Sequence, residues 1–169
     1  MIIICYQGID KSNYCKSNKD AINLESSHFF KDNNERPEEW YNIYAKIALD
    51  LSNKGFVVFV SSHDVVRKAI NRYNRNIYAP YLSKNKGGET VVAICPSIKL
   101  KDQWIERLSD RYLKRPIIKN HKALQNAIDR YEESIKEIAA DIKNTVYIED
   151  LENYDCFKFF DDVIIHYDR

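Results

Sequence analysis

Met1-Ile2-Ile3-Ile4-Cys5-Tyr6-Gln7-Gly8-Ile9-Asp10-Lys11-Ser12 is an apolar run, 1–5, followed by a short loop that ends in Lys-Ser. Residues 13–17 then continue into a polar, helix-compatible segment. Strand, short loop with Lys-Ser, and helix start are the order of the phosphate-cradling loop G-x-x-x-x-G-K-[ST]. Aligned on Lys11 and Ser12, Cys5 stands at the first glycine position and Asp10 at the second, so Gly8 is the only glycine in the loop.

Such a loop wraps phosphate in backbone N–H groups, with a helix N-terminus behind them. Its lysine neutralises the outer phosphates and its hydroxyl residue holds Mg²⁺. Gly8, Ile9, Asp10, Lys11, Ser12 and Asn13 are therefore the candidate phosphate-binding residues, with Ser12 the candidate magnesium ligand. Asp10 opposes that role, because two like charges ~4 Å apart repel by ~4 kcal/mol at an effective dielectric constant of ~20. It either points outward or pairs with Lys11. The same residues also read as an ordinary first strand, a turn at Gly8 and an Asp favoured near a helix start.

The 169 residues are expected to form one domain, 1–169, large enough for a proper core. Hydrophobic residues at 44% and charged residues at 30% are ordinary for a globular chain. A net charge of +1 gives no general attraction to nucleic acid or membranes. Neither a run of ~20 apolar residues nor a signal peptide is read, so a cytoplasmic location is expected. Cys5, Cys15, Cys95 and Cys156 form no C-x-x-C pair, which argues for buried free thiols rather than zinc.

Further along the chain, 21–24 is a short strand ending at Glu25, and 32–35 is a polar turn. A helix starts at Arg36-Pro37, with Glu38 and Glu39 in its first turn and Trp40, Tyr44, Ile47 and Leu51 on one face. The buried-type strand 56–60 ends in Ser61-Ser62-His63 and leads to a helix reaching about residue 75. Residues 76–89 read as a loop around Pro80, Gly87 and Gly88. Strand 90–95 is followed by a helix marked by Leu100, Trp104, Leu108 and Tyr112. The next helix, 119–142, carries the stripe Leu124, Ile128, Tyr131, Ile135, Ile138 and Ile142. Residues 145–148 are a strand, 151–160 a short helix or turn, and 163–165 a terminal strand. Alternating strands and helices predict an α/β three-layer sandwich with a mostly parallel five-stranded sheet. In such sheets the ligand lies beyond the carboxyl ends of the strands, which here carry residues 8–12, Glu25, Ser61 and His63.

With these elements in this order, the chain resembles the nucleoside and nucleoside-monophosphate kinase branch of the P-loop proteins. It looks most like the small kinase-like members of bacteriophages and prophages. The resemblance rests on the degenerate loop 5–12, on Glu25, on strands 56–60 and 90–95, and on the helix 99–112 with Arg107 and Arg111. It implies catalytic roles at the phosphates for Lys11, Arg107 and Arg111, the last two as arginines of a small lid region around 97–118. It implies an acceptor side formed by Glu25, Ser61 and His63. ATP and Mg²⁺ would be the cofactors if kinase activity is retained, and otherwise there would be none. Such kinases carry a metal-supporting Asp where this chain has Ser61, with Asp64 three residues later.

The expectation is a nucleotide- or phosphometabolite-binding protein with weak or lost phosphoryl transfer. In a phage setting it would sequester a host or signalling nucleotide in the host cytoplasm. One alternative is an active ATP-dependent (deoxy)nucleoside monophosphate kinase; another is a protein-interaction module without a small ligand. The expected partner is a nucleotide or other phosphorylated small molecule, with a homodimer compatible and neither membrane nor nucleic acid involved. His63 and His28 are candidate general bases. One or two of Phe29, Phe30, Trp40, Tyr41 and Tyr44 are candidates to stack on a base.

Overall fold

The computed structural model describes residues 1–30, 35–75 and 88–168. Most of the 76–89 loop and of the 32–35 turn lie outside these residues. The elements in chain order are β1 (Ile2–Cys5), α1 (Lys11–Ser17), β2 (Ala21–Asn23), α2 (Trp40–Asn53), β3 (Val57–Ser61) and α3 (Asp64–Tyr73). Then come β4 (Val91–Pro96), α4 (Lys101–Lys114), α5 (Ile118–Asp141), β5 (Asn144–Ile148) and α6 (Cys156–Tyr167).

The five strands form one sheet in the order β2-β3-β1-β4-β5. Every pairing is parallel, with Ile4 opposite Val60 on one side and Ala93 on the other. β1 is the central strand and is wholly buried, which is why Ile2, Ile3 and Ile4 can be consecutive and apolar. Helices cover both faces. Phe59 points to the face of α1 and α6, where it meets Tyr14 and Phe160 edge-on. α2, α3 and α5 pack along the other face. Right-handed crossovers require this split, because the first connection runs one way across the sheet and the later ones run the other way.

α6 replaces the terminal strand expected at 163–165. Asp155 caps it, accepting from Phe157 N at 2.9 Å, and Cys156, Phe160, Val163 and Tyr167 recur at helical spacing. The helix expected from Arg36-Pro37 starts only at Trp40. Trp40 N reaches back to Pro37 O in a turn, and Glu39 sits at φ 53°, off the helical path. In α5, Arg130 departs from helical geometry at φ −139°. Ala127 rather than Ile128 then joins Tyr131, Ile135, Ile138 and Ile142 against the sheet, and Ile128 is half exposed. Cys5 and Cys95 are buried free thiols.

Candidate functional site

The loop after β1 is held by its carbonyl groups. Trp104 Nε1 on α4 donates to Gln7 O at 3.0 Å, and Arg107 Nε donates to Gly8 O at 3.3 Å. Gln7 Nε2 donates to Ala123 O on α5 at 2.9 Å. Gly8 takes φ +88° beneath Trp104 and Leu108, so the one loop glycine is where α4 comes closest. The N–H groups of Gly8, Ile9 and Asp10 have no hydrogen-bond partner among the described residues.

Asp10 does not pair with Lys11. Its carboxylate pairs with the Arg107 guanidinium, which also lies 5.5 Å from the Trp104 ring and 5.9 Å from the Tyr154 ring. Burial pushes the Lys11 ammonium below the ordinary lysine value, with the Cys5 and Glu25 side chains acting the other way. Ser12 Oγ accepts from Asn23 Nδ2 at 3.1 Å, and Asn23 Nδ2 also reaches Glu25 Oε1 at 2.7 Å. Glu25 Oε2 accepts from Lys119 Nζ at 2.5 Å. Burial works against the Glu25 charge, but Lys119, Lys11 and Asn23 together hold its carboxyl below the usual range.

These groups face a cleft of about 1410 Å³ between α1–β2 and the α4–α5 hairpin. Of the residues singled out in the sequence, Gly8, Asp10, Ser12, Asn13, Glu25, Arg107 and Arg111 line it. Ile9, Lys11, Ser61 and His63 do not; Ile9 is buried at 4% exposure. Ser61 N donates to the Tyr44 hydroxyl at 3.0 Å, and that hydroxyl donates to Leu24 O at 2.5 Å, tying β3 to the end of β2. None of Phe29, Phe30, Trp40, Tyr41 and Tyr44 lines the cleft. Phe30 and Trp40 instead flank the Arg36 guanidinium, at 4.5 and 4.2 Å from their ring centres.

Lys114, Arg115, Lys119, Asn23 and Asn120 line the cleft and were not singled out from the sequence. A signal for the cations was present: no Asp or Glu stands between Asp110 and Asp129, while Arg111, Lys114, Arg115, Lys119 and Lys122 do. The residues present do not assemble a magnesium site. Ser12 is bonded to Asn23, Asp10 is paired with Arg107, and Asp64 is paired with Lys68 at 3.2 Å. Among the described residues no three His, Cys, Asp or Glu side chains are grouped to hold a metal ion.

His63 lies away from the cleft, with Nε2 3.4 Å from Ser26 Oγ and its ring edge-on to Trp40. The residue as a whole is exposed, but partial desolvation of the ring, and then the Arg36 charge, push its pKa below the ordinary 6.5, by an amount that solvent screening keeps small. The folded chain thus resists protonating His63 more than the unfolded chain does. Its contribution to stability is present above pH 6.5 and is lost as pH falls through the lower folded value. Denaturant titrations at stepped pH should show that loss, and His63→Gln should flatten it. An unchanged profile in the variant would rule His63 out as its source.

The fold and cleft define an α/β protein with an all-parallel sheet and, beside its central strand, a cleft of mixed charge whose α4–α5 wall carries Arg107, Arg111, Lys114, Arg115 and Lys119 together with Glu106 and Asp110. Comparison with family models, with curated proteins and with solved structures finds no match to this chain. No helix among the described residues is long and apolar enough to cross a membrane.

Proposed function

We propose that the chain binds a nucleotide or another phosphorylated small molecule, on a nucleotide-kinase-like layout in which phosphoryl transfer is weak or lost. The observation that carries this reading is the excess of cations on the cleft wall, Arg107, Arg111, Lys114, Arg115 and Lys119 against Glu106 and Asp110, facing the loop around Gly8 and Ser12. Guanidinium groups suit phosphate because their planar N–H forks match its oxygens. The strand order adds support. The connection out of β1 runs one way to β2, while the connection out of its neighbour β3 runs the other way to β4, and open parallel sheets bind ligands at such a switch point. Weak or lost transfer follows from what phosphoryl transfer needs, namely a lysine and a metal at the phosphates. β3 ends in Ser61 without an acid, and the Ser12 hydroxyl is already bonded to Asn23.

Calorimetry with inorganic phosphate and with nucleoside mono-, di- and triphosphates, with and without Mg²⁺, tests the reading. Saturable binding is expected, accompanied by thermal stabilisation of ~2.7 kcal/mol at a hundredfold excess over Kd. Coupled assays should show no turnover. Rates of ~1–100 s⁻¹ would overturn the loss of transfer, and absence of any binding would overturn the whole reading.

On this reading Asp10 occupies the guanidinium that a ligand phosphate would use. Asp10→Asn keeps the helix-start residue type while removing the competing charge. The carboxylate is 41% exposed, so screening reduces the gain to about 1.4 kcal/mol, or about tenfold tighter phosphate-ligand binding. Unchanged affinity would show that Arg107 is not a ligand contact.

A further inference from the structure

Two carboxamides in the cleft lack a partner for their oxygens. Asn120 is only 2% exposed yet lines the cleft. Its Nδ2 donates to Arg115 O at 2.8 Å, which sets the orientation of the amide, because a carbonyl oxygen only accepts. Its Oδ1 is then buried without a partner among the described residues. Asn23, on the opposite wall, repeats the pattern. Its nitrogen faces the Glu25 carboxylate, and its Oδ1 is likewise buried and unpartnered among the described residues. The two are linked through the Glu25–Lys119 pair, since Asn23 bonds to Glu25 and Asn120 adjoins Lys119. Buried acceptors are nearly always satisfied in native proteins, so two in one cleft call for a donor.

We propose, resting on the binding reading above, that Asn23 and Asn120 form a subsite for the amino group of a nucleobase, with the phosphate held by Arg107 and Arg111. An aromatic amino group presents two N–H donors in the plane of its ring, whereas a hydroxyl presents one and brings lone pairs. An oxo group at the same ring position sets oxygen against oxygen and is rejected. The ligand class is therefore a nucleoside phosphate whose base carries an exocyclic amine.

Three matched pairs of 5′-monophosphates test this by calorimetry: cytidine against uridine, adenosine against purine riboside, and guanosine against inosine. In at least one pair the amino-bearing member should bind about tenfold tighter or more, because its partner leaves buried acceptors unpaired. In Asn120→Leu and in Asn23→Leu that ratio should fall toward one, whatever either change does to the affinity common to both members. If Asn120→Leu does not fold, having lost its bond to Arg115 O, Asn23→Leu and the native pairs still give the answer. Equal affinities within every pair in the native protein overturn the subsite and leave phosphate-ligand binding standing. A preference that survives in the folded variants overturns the assignment to these two residues. No binding of any of the six overturns the subsite together with the reading it rests on.

Discussion

Gly8→Ala is expected to destabilise the fold by about 2–5 kcal/mol. A Cβ at Gly8 would stand 2.8 Å from Leu108 Cδ2 and 3.3 Å from Trp104 Nε1. Leu108 is 1% and Trp104 0% exposed, so either must shift against packed neighbours to make room. Left-handed backbone at φ +88° costs an alanine ~1–2 kcal/mol, and forcing extra volume into a packed site costs ~1–3 kcal/mol more. Gly55 is the control. It has φ +96°, and an added methyl group there would meet nothing within 4 Å, so Gly55→Ala should cost only the backbone part, ~1–2 kcal/mol. Denaturant unfolding of the two variants separates strain from contact. Equal losses would mean that α4 moves aside freely. The same packing seats Arg107 over the loop, so Gly8→Ala should also weaken phosphate-ligand binding more than Gly55→Ala does.

Asp141→Ala is expected to cost about 2–4 kcal/mol. Arg67, only 4% exposed, joins α3 to α5 through Asp141 Oδ2 at 2.8 Å and also donates to Ser62 O. Removing one partner of a buried ion pair strands the other and costs ~3–5 kcal/mol. The Asp141 side chain is 27% exposed and the Ser62 bond survives, so the expected loss lies somewhat below that range. The double variant Arg67→Met plus Asp141→Leu removes both charges and should recover most of the loss. A double variant as unstable as the single one would show that the loss came from packing rather than from a stranded charge.

Local pattern was sufficient wherever one element's own residues carried the signal. The apolar runs 1–5, 56–60 and 90–95 read as interior strands, and their alternation with helices predicted a mostly parallel sheet. The stretch 163–165 was misleading because three β-branched residues read as a strand in isolation. Asp155 and the spacing of Cys156, Phe160, Val163 and Tyr167 were also there to be read, and they won. Tertiary structure alone decided which charges meet. Asp10 and Arg107 lie 97 positions apart, and Glu25 and Lys119 lie 94 apart. Their pairing depends on α4 and α5 folding back over the end of β1, a long-range geometry that no local period encodes. For the same reason Ser12 meets Asn23 at the cleft wall, a partner that no local period predicts.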